Sequence, residues 1–148
     1  MARAVRVTGE AGAPPDASAG TRCTLDASAL LAYLGREPGY EPVRQALRDG
    51  ARISTVNLSE AYAKLVQRAI PLDPVINRVH ALGLRAVPFD EHLARCAAEL
   101  LPHTRRLGLS LGDRAALALA QALAVPVLTT DRAWAKLDVN GISVRLIR

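Results

Sequence analysis

The sequence predicts an α/β domain in which a parallel sheet carries helices on both faces. Three observations lead there. The 148 residues, half of them hydrophobic, suit one packed domain. From Cys23 onward, short apolar runs alternate with helical patterns, as in βαβ units. The connections between them are short, which favours right-handed crossovers with helices above and below the sheet.

The first strand is expected over Arg22–Leu25, and the apolar spacing of Ala27–Leu34 predicts a helix behind it. A second helix runs from near Pro42 to Gly50, a good terminator. Arg52–Thr55 reads as a strand and Asn57–Arg68 as a helix stopped by Pro71. Asp73–Leu82 is helical and closed by Gly83; Arg85–Phe89 is a strand and Glu91–Leu101 a helix. Leu111–Leu123 is a strongly apolar helix ending before Pro126, and Val127–Thr129 is a strand. A short helix over Arg132–Leu137 and a last strand over Ile142–Ile147 complete the chain. Residues 1–22 differ: Glu10–Gly20 is small, Pro- and Gly-rich and without period, which reads as a flexible extension before a domain of residues 23–148.

No apolar run approaches the roughly 20 residues that span a bilayer, so no membrane association is expected. Arg3 and Arg6 have no apolar segment behind them, so the start is a poor signal peptide. Cys23 and Cys96, far apart and in apolar surroundings, suit thiols in a reducing cytoplasm, and no CxxC or Cys/His cluster suggests structural zinc. The net charge is +5, and of the nineteen basic residues only Lys64 and Lys136 are lysines. Such a balance permits a polyanionic partner, and an Arg- and Ala-rich composition by itself explains it equally well.

The fourteen acids divide into two groups. Glu37, Glu41, Asp49, Glu99 and Asp138 sit in polar or helix-surface contexts. Asp26, Glu60 and Asp131 instead fall where an apolar strand gives way to a helix, and Asp113 opens a helix after a turn. In an open parallel sheet such junctions lie along the carboxyl edge, where ligands bind. Carboxylates gathered there repel one another unless a cation joins them, and oxygen donors without His or Cys favour Mg²⁺ or Mn²⁺. Such a site can activate water and neutralise charge on a phosphodiester. Each acid also has an ordinary alternative. Asp26 and Asp131 suit plain N-caps, and Asn57–Glu60 and Ser110–Asp113 have capping-box spacing. Asp90 likewise ends a strand and starts a helix, and pattern alone does not separate it from the others.

Four segments in order, LDASALL (25–31), NLSE (57–60), LSLGD (109–113) and LTTD (128–131), resemble the signatures of the PIN-domain family. In its short form the chain is similar to VapC-type toxins of type II toxin–antitoxin pairs. The resemblance implies a PIN-like three-layer α/β/α fold with a five-stranded parallel sheet of order 3-2-1-4-5. It implies a Mg²⁺- or Mn²⁺-dependent endoribonuclease that cuts RNA by metal-activated water, a homodimer, and a cognate antitoxin. By position, Asp26, Glu60, Asp113 and Asp131 would bind metal or metal-bound water, with Ser28 and Thr129 orienting them. That strand order also puts Asp90 behind an edge strand, away from the centre. Two features depart from the family pattern: the leading 22 residues are extra, and Arg114 follows the third acid where small residues are common.

Arg105, Arg106, Arg114 and Arg132 are candidate RNA contacts, or solvated charge. Trp134 either stacks a base or covers the core, and Tyr33 and Tyr62 flank the first two acids as interface candidates. His80, His92 and His103 lack the spacing of a metal pair. Two rivals to a toxin share the fold: an RNA-processing nuclease, and a binding module without catalysis. A third rival, a phosphoacceptor receiver domain, also has an Asp after its first strand, but it wants an acidic pair before that Asp and a Lys at the last strand, and the chain offers neither.

Overall fold

Residues 22–148 are described by a computed structural model. The expected extension over residues 1–22 therefore lies, except for Arg22, outside the described residues. The chain runs β1 (Thr24–Leu25), α1 (Ala27–Leu34), α2 (Glu41–Arg48), β2 (Arg52–Ser54), α3 (Thr55–Gln67), α4 (Leu72–Ala81) and β3 (Arg85–Val87). It continues with α5 (Glu91–Glu99), α6 (Leu101–Thr104), α7 (Leu111–Leu123), β4 (Val127–Thr129) and β5 (Val144–Leu146). All four strand pairings are parallel, and the sheet order is β3-β2-β1-β4-β5. The three-layer α/β/α fold and the 3-2-1-4-5 order are thus present.

Alternation along the strands builds two cores. Leu25, Ile53 and Leu128 point to one face and pack with α1, α2 and α3. Val127 and Val87 point to the other, against α7 and α5. In α7 every residue from Ala115 to Ala120 is buried. A helix apolar all round is an interior helix, and its alanines let the sheet and neighbouring helices approach closely. Among the described residues no helix is long and apolar enough to cross a membrane.

Several boundaries differ from expectation, two of them for evident local reasons. Helix α3 begins at Thr55, two residues early, because Ser54 Oγ accepts the Val56 N–H at 3.2 Å and caps it. Asn57 is therefore inside the helix and does not form the capping box its spacing suggested. Helix α5 stops at Glu99, and Pro102 sits in the first turn of a separate α6, as expected of a residue with no N–H to continue a ladder. The segment after Asp131 is a 3-10 turn over Arg132–Lys136. The last strand is three residues long rather than six. Cys23 and Cys96 are free thiols; Cys23 is buried, and burial pushes its pKa up to about 11.

Candidate metal centre

The first acid is built by the pairing of β1 with β4. Leu25 lies opposite Leu128, and the Asp26 N–H continues the ladder to the Leu128 carbonyl at 3.2 Å. Asp26, just past β1, therefore faces Thr129 at the end of β4. Its carboxylate is 5% exposed and accepts three hydrogen bonds. Ser28 Oγ (2.7 Å) and the Ala29 N–H (2.8 Å) donate to Oδ1, and Thr129 Oγ1 (2.5 Å) donates to Oδ2. Each hydroxyl also accepts a backbone N–H: Thr130 to Ser28 and Asp131 to Thr129, both at 3.0 Å. Each hydroxyl thus donates one bond and accepts one, in the directions its chemistry allows.

The other three acids come from other segments, and Glu60, expected where a strand gives way to a helix, lies inside α3 because that helix starts at Thr55. Asp131 follows β4 and caps the 3-10 turn, its Oδ1 accepting the Ala133 N–H at 2.9 Å. Asp113 is the third residue of α7, in a full capping box. Ser110 Oγ takes the Asp113 N–H (3.2 Å), and Asp113 Oδ2 takes the Ser110 N–H (2.9 Å). Glu60 extends from α3 to the first turn of α7, where Gly112 is so close that a Cβ there would overlap its carboxylate. Asn57 Nδ2 donates to the Gly112 carbonyl at 2.9 Å and lies 3.4 Å from Glu60 Oε2.

Asp26, Glu60, Asp113 and Asp131 all line one cavity of about 450 Å³ at the carboxyl edge of the sheet. Capping and membership of this cavity are therefore compatible roles for three of the four. Asp90 also caps a helix, through the Leu93 N–H at 2.9 Å, and does not line the cavity. Ser28 lines it, and Thr129 is buried behind Asp26. A second cavity, of about 480 Å³, lies beside α2 and β5 around Cys23, Asp49 and Arg145, and carries no such group of acids.

The electrostatics favour a cation. Burial raises the Asp26 pKa to about 6 against the pull of its three donors, and the charge of Asp113 adds to the rise. Burial also raises the Glu60 pKa; Asn57 opposes this, Asp113 reinforces it, and Lys64 lowers it. Among the described residues Lys64 is the one basic side chain lining the cavity. The donor set is carboxylate oxygen throughout, which fits a hard divalent ion. Among the described residues no three acidic, His or Cys side chains converge tightly enough to grip an ion directly. Mg²⁺ suits such spacing because it keeps several waters and reaches ligands through them.

Of the candidate RNA contacts, none lines the cavity. Arg114 turns away toward α5, where Nη1 donates to the Ala97 carbonyl at 3.1 Å. Arg105 and Arg106 are exposed on a 3-10 turn over Arg105–Leu107, and Arg132 is exposed beside Asp131. Trp134 is 1% exposed in the core, which removes it as a stacking platform. Tyr33 carries the Arg78 guanidinium 5.7 Å from its ring centre, and Tyr62 packs half-buried on the core.

Reading by residue type missed Lys64, Gln67, Asn57 and Gly112. Glu60, Ala63, Lys64 and Gln67 form one wall of the cavity. Their i, i+3, i+4, i+7 spacing, counted from Glu60, was the available signal.

The PIN domain family matches residues 23–140. No curated protein matches the chain in sequence. Solved structures do resemble it in fold. The VapBC2 complex of Rickettsia felis, bound to a DNA fragment of its promoter, aligns with TM-score 0.62 and 13% identity over 84% of this chain and 97% of that one. DNA-bound VapBC of Salmonella typhimurium aligns with TM-score 0.62 and 18% identity, covering 87% and 100%. VapBC-5 of Mycobacterium tuberculosis gives 0.54 and 22%, covering 84% and 98%.

Proposed function

The chain belongs to the PIN-domain family, and from that premise we propose that it is a divalent-metal-dependent endoribonuclease, the toxin of a toxin–antitoxin pair acting in the cytoplasm. The observation that carries the reading is the cavity itself: four carboxylates from four separate segments of the chain, with Lys64 the basic residue that lines it among the described residues. A bound Mg²⁺ or Mn²⁺ supplies charge neutralisation and a more acidic water for phosphodiester hydrolysis. Asp26, Glu60, Asp113 and Asp131 would hold that ion, in part through its bound waters. Ser28, Thr129 and the Ala29 N–H keep Asp26 in one orientation and favour its ionised form. Lys64, exposed on α3, is placed to meet a phosphate of the RNA backbone entering the cavity.

The VapBC complexes among the structural relatives support a cognate antitoxin as partner, and the reading includes a homodimer. Val66 and Ile70, 57% and 38% exposed at and just beyond the end of α3, offer apolar surface to a partner chain.

The test is cleavage of single-stranded or loop RNA by purified protein in Mg²⁺ or Mn²⁺, with growth arrest on expression as its cellular counterpart. EDTA should abolish cleavage, and Asp26→Ala should relieve arrest at equal protein level. Full cleavage in EDTA sinks the metal mechanism; unchanged arrest by Asp26→Ala sinks the catalytic origin of toxicity.

A further inference from the structure

We propose that Asn57 and Gly112 form a positioning pair that sets where Glu60 stands relative to Asp113, and thereby the cation affinity of the cavity. The inference rests on reading that cavity as a cation site. Neither residue carries charge, and neither is an acid of the centre.

Asn57 is 1% exposed, yet it lines the acidic cavity. Its Nδ2 spans 55 residues of sequence to reach the Gly112 carbonyl and lies beside Glu60. The reverse amide orientation would press Oδ1 against that carbonyl and the carboxylate, so the donor must face α7. Oδ1 is buried and, among the described residues, has no hydrogen-bond partner. An amide that leaves one buried end unsatisfied is a costly way to fill space, since an apolar side chain of similar volume avoids the penalty. The bond to Gly112 is what distinguishes Asn57 from such a side chain.

Gly112 supplies the other half. It lies within α7 with an ordinary helical backbone, where alanine is the better helix former. What glycine provides is room: a Cβ would overlap Glu60 Oε1 and stand 2.6 Å from Oε2. The carboxylate therefore rests against the first turn of α7, whose unpaired N–H groups favour negative charge. Asp113 follows directly in sequence. Glu60 and Asp113 are thus placed from one helical turn, and Asn57 ties α3 to that turn.

Two variants separate positioning from mere packing. In Gly112→Ala the end of a flexible side chain yields, so the helix gains propensity while Glu60 moves. Asn57→Leu keeps the branched shape, with more bulk, and removes the buried unsatisfied oxygen. Melting temperatures in EDTA should stay near or above wild type for both. The Mg²⁺ concentration needed for half of the thermal shift should rise about 10–100-fold, the usual cost of losing a group that orients a metal ligand. Packing alone predicts altered melting in EDTA with an unchanged Mg²⁺ response, and that result in both variants overturns the proposal. A wild type without any Mg²⁺ response sinks the cation reading itself. A crystal structure of Gly112→Ala grown in EDTA then judges the pair: a displaced Glu60 carboxylate upholds it, and an unmoved one overturns it.

Discussion

Thr129 donates its hydroxyl to Asp26 Oδ2 at 2.5 Å while the same oxygen accepts the Asp131 N–H at 3.0 Å. One side chain at the end of β4 thus orients the first acid and fixes the backbone that presents the fourth. Thr129→Val retains shape and removes both bonds. It should cost about 1–3 kcal/mol, because it strands a buried carboxylate oxygen and a backbone N–H. Chemical denaturation in EDTA measures this, and a loss below the low end would show that water replaces the hydroxyl freely.

The buried Asp26 carboxyl gives stability a definite pH dependence. Its folded pKa, about 6, lies above the ordinary value of 3.8. Between those values the folded state binds a proton that the unfolded state has released. Stability from this group is therefore greatest at low pH and falls as pH rises through about 6. The full difference is on the order of 3 kcal/mol in metal-free protein. Asp26→Asn should remove the effect, so the stability of the variant relative to wild type should climb from pH 4 to 6 and level off above 7. A difference independent of pH would contradict the raised pKa.

Asp113→Asn tests the dual role of the third acid. The asparagine oxygen can still accept the Ser110 N–H, so the capping box survives, less about 0.3–1 kcal/mol of charge–dipole interaction. Against that loss, removing the charge relieves its repulsion of Asp26 and Glu60. The metal-free variant should thus melt close to or above wild type, and Mg²⁺ should raise its melting temperature less. Equal Mg²⁺ shifts in both proteins would reduce Asp113 to a helix-start residue.

Lys64→Ala probes the positive charge on the cavity wall. Lys64 is exposed and lies four residues after Glu60, whose charge it favours, so its loss should change stability by less than about 0.5 kcal/mol. RNA affinity should fall, and the slope of log affinity against log salt should shrink by about 0.7, one phosphate contact on a single strand. Mg²⁺ affinity should hold or improve, since a competing cation is gone. Weaker Mg²⁺ response together with unchanged RNA binding would reverse the assignment.

What the sequence determined by itself is what short-range patterns encode. Helices α1 and α7 and strand β4 fall on their expected residues because apolar period and terminators are local signals. Helix α3 shows the limit of such signals: its start was expected at Asn57, and Ser54 bonds the helix start instead. The four acids were likewise legible, as was the ability of Asp26, Asp113 and Asp131 to cap; Glu60, expected at a helix start, lies inside α3. Their gathering at one cavity was not, because it follows from strand order rather than spacing. The same holds for the bonds across the site. Asp26 meets Thr129 over 103 residues and Asn57 meets Gly112 over 55, contacts that parallel pairing and helix packing create. Tertiary structure also decided where ambiguous side chains go: Arg114 to a carbonyl of α5, Trp134 into the core, Lys64 to the wall beside Glu60. A helix or strand face offers each such residue several neighbours, and only the packed chain selects among them by burying apolar surface and pairing the polar groups left inside.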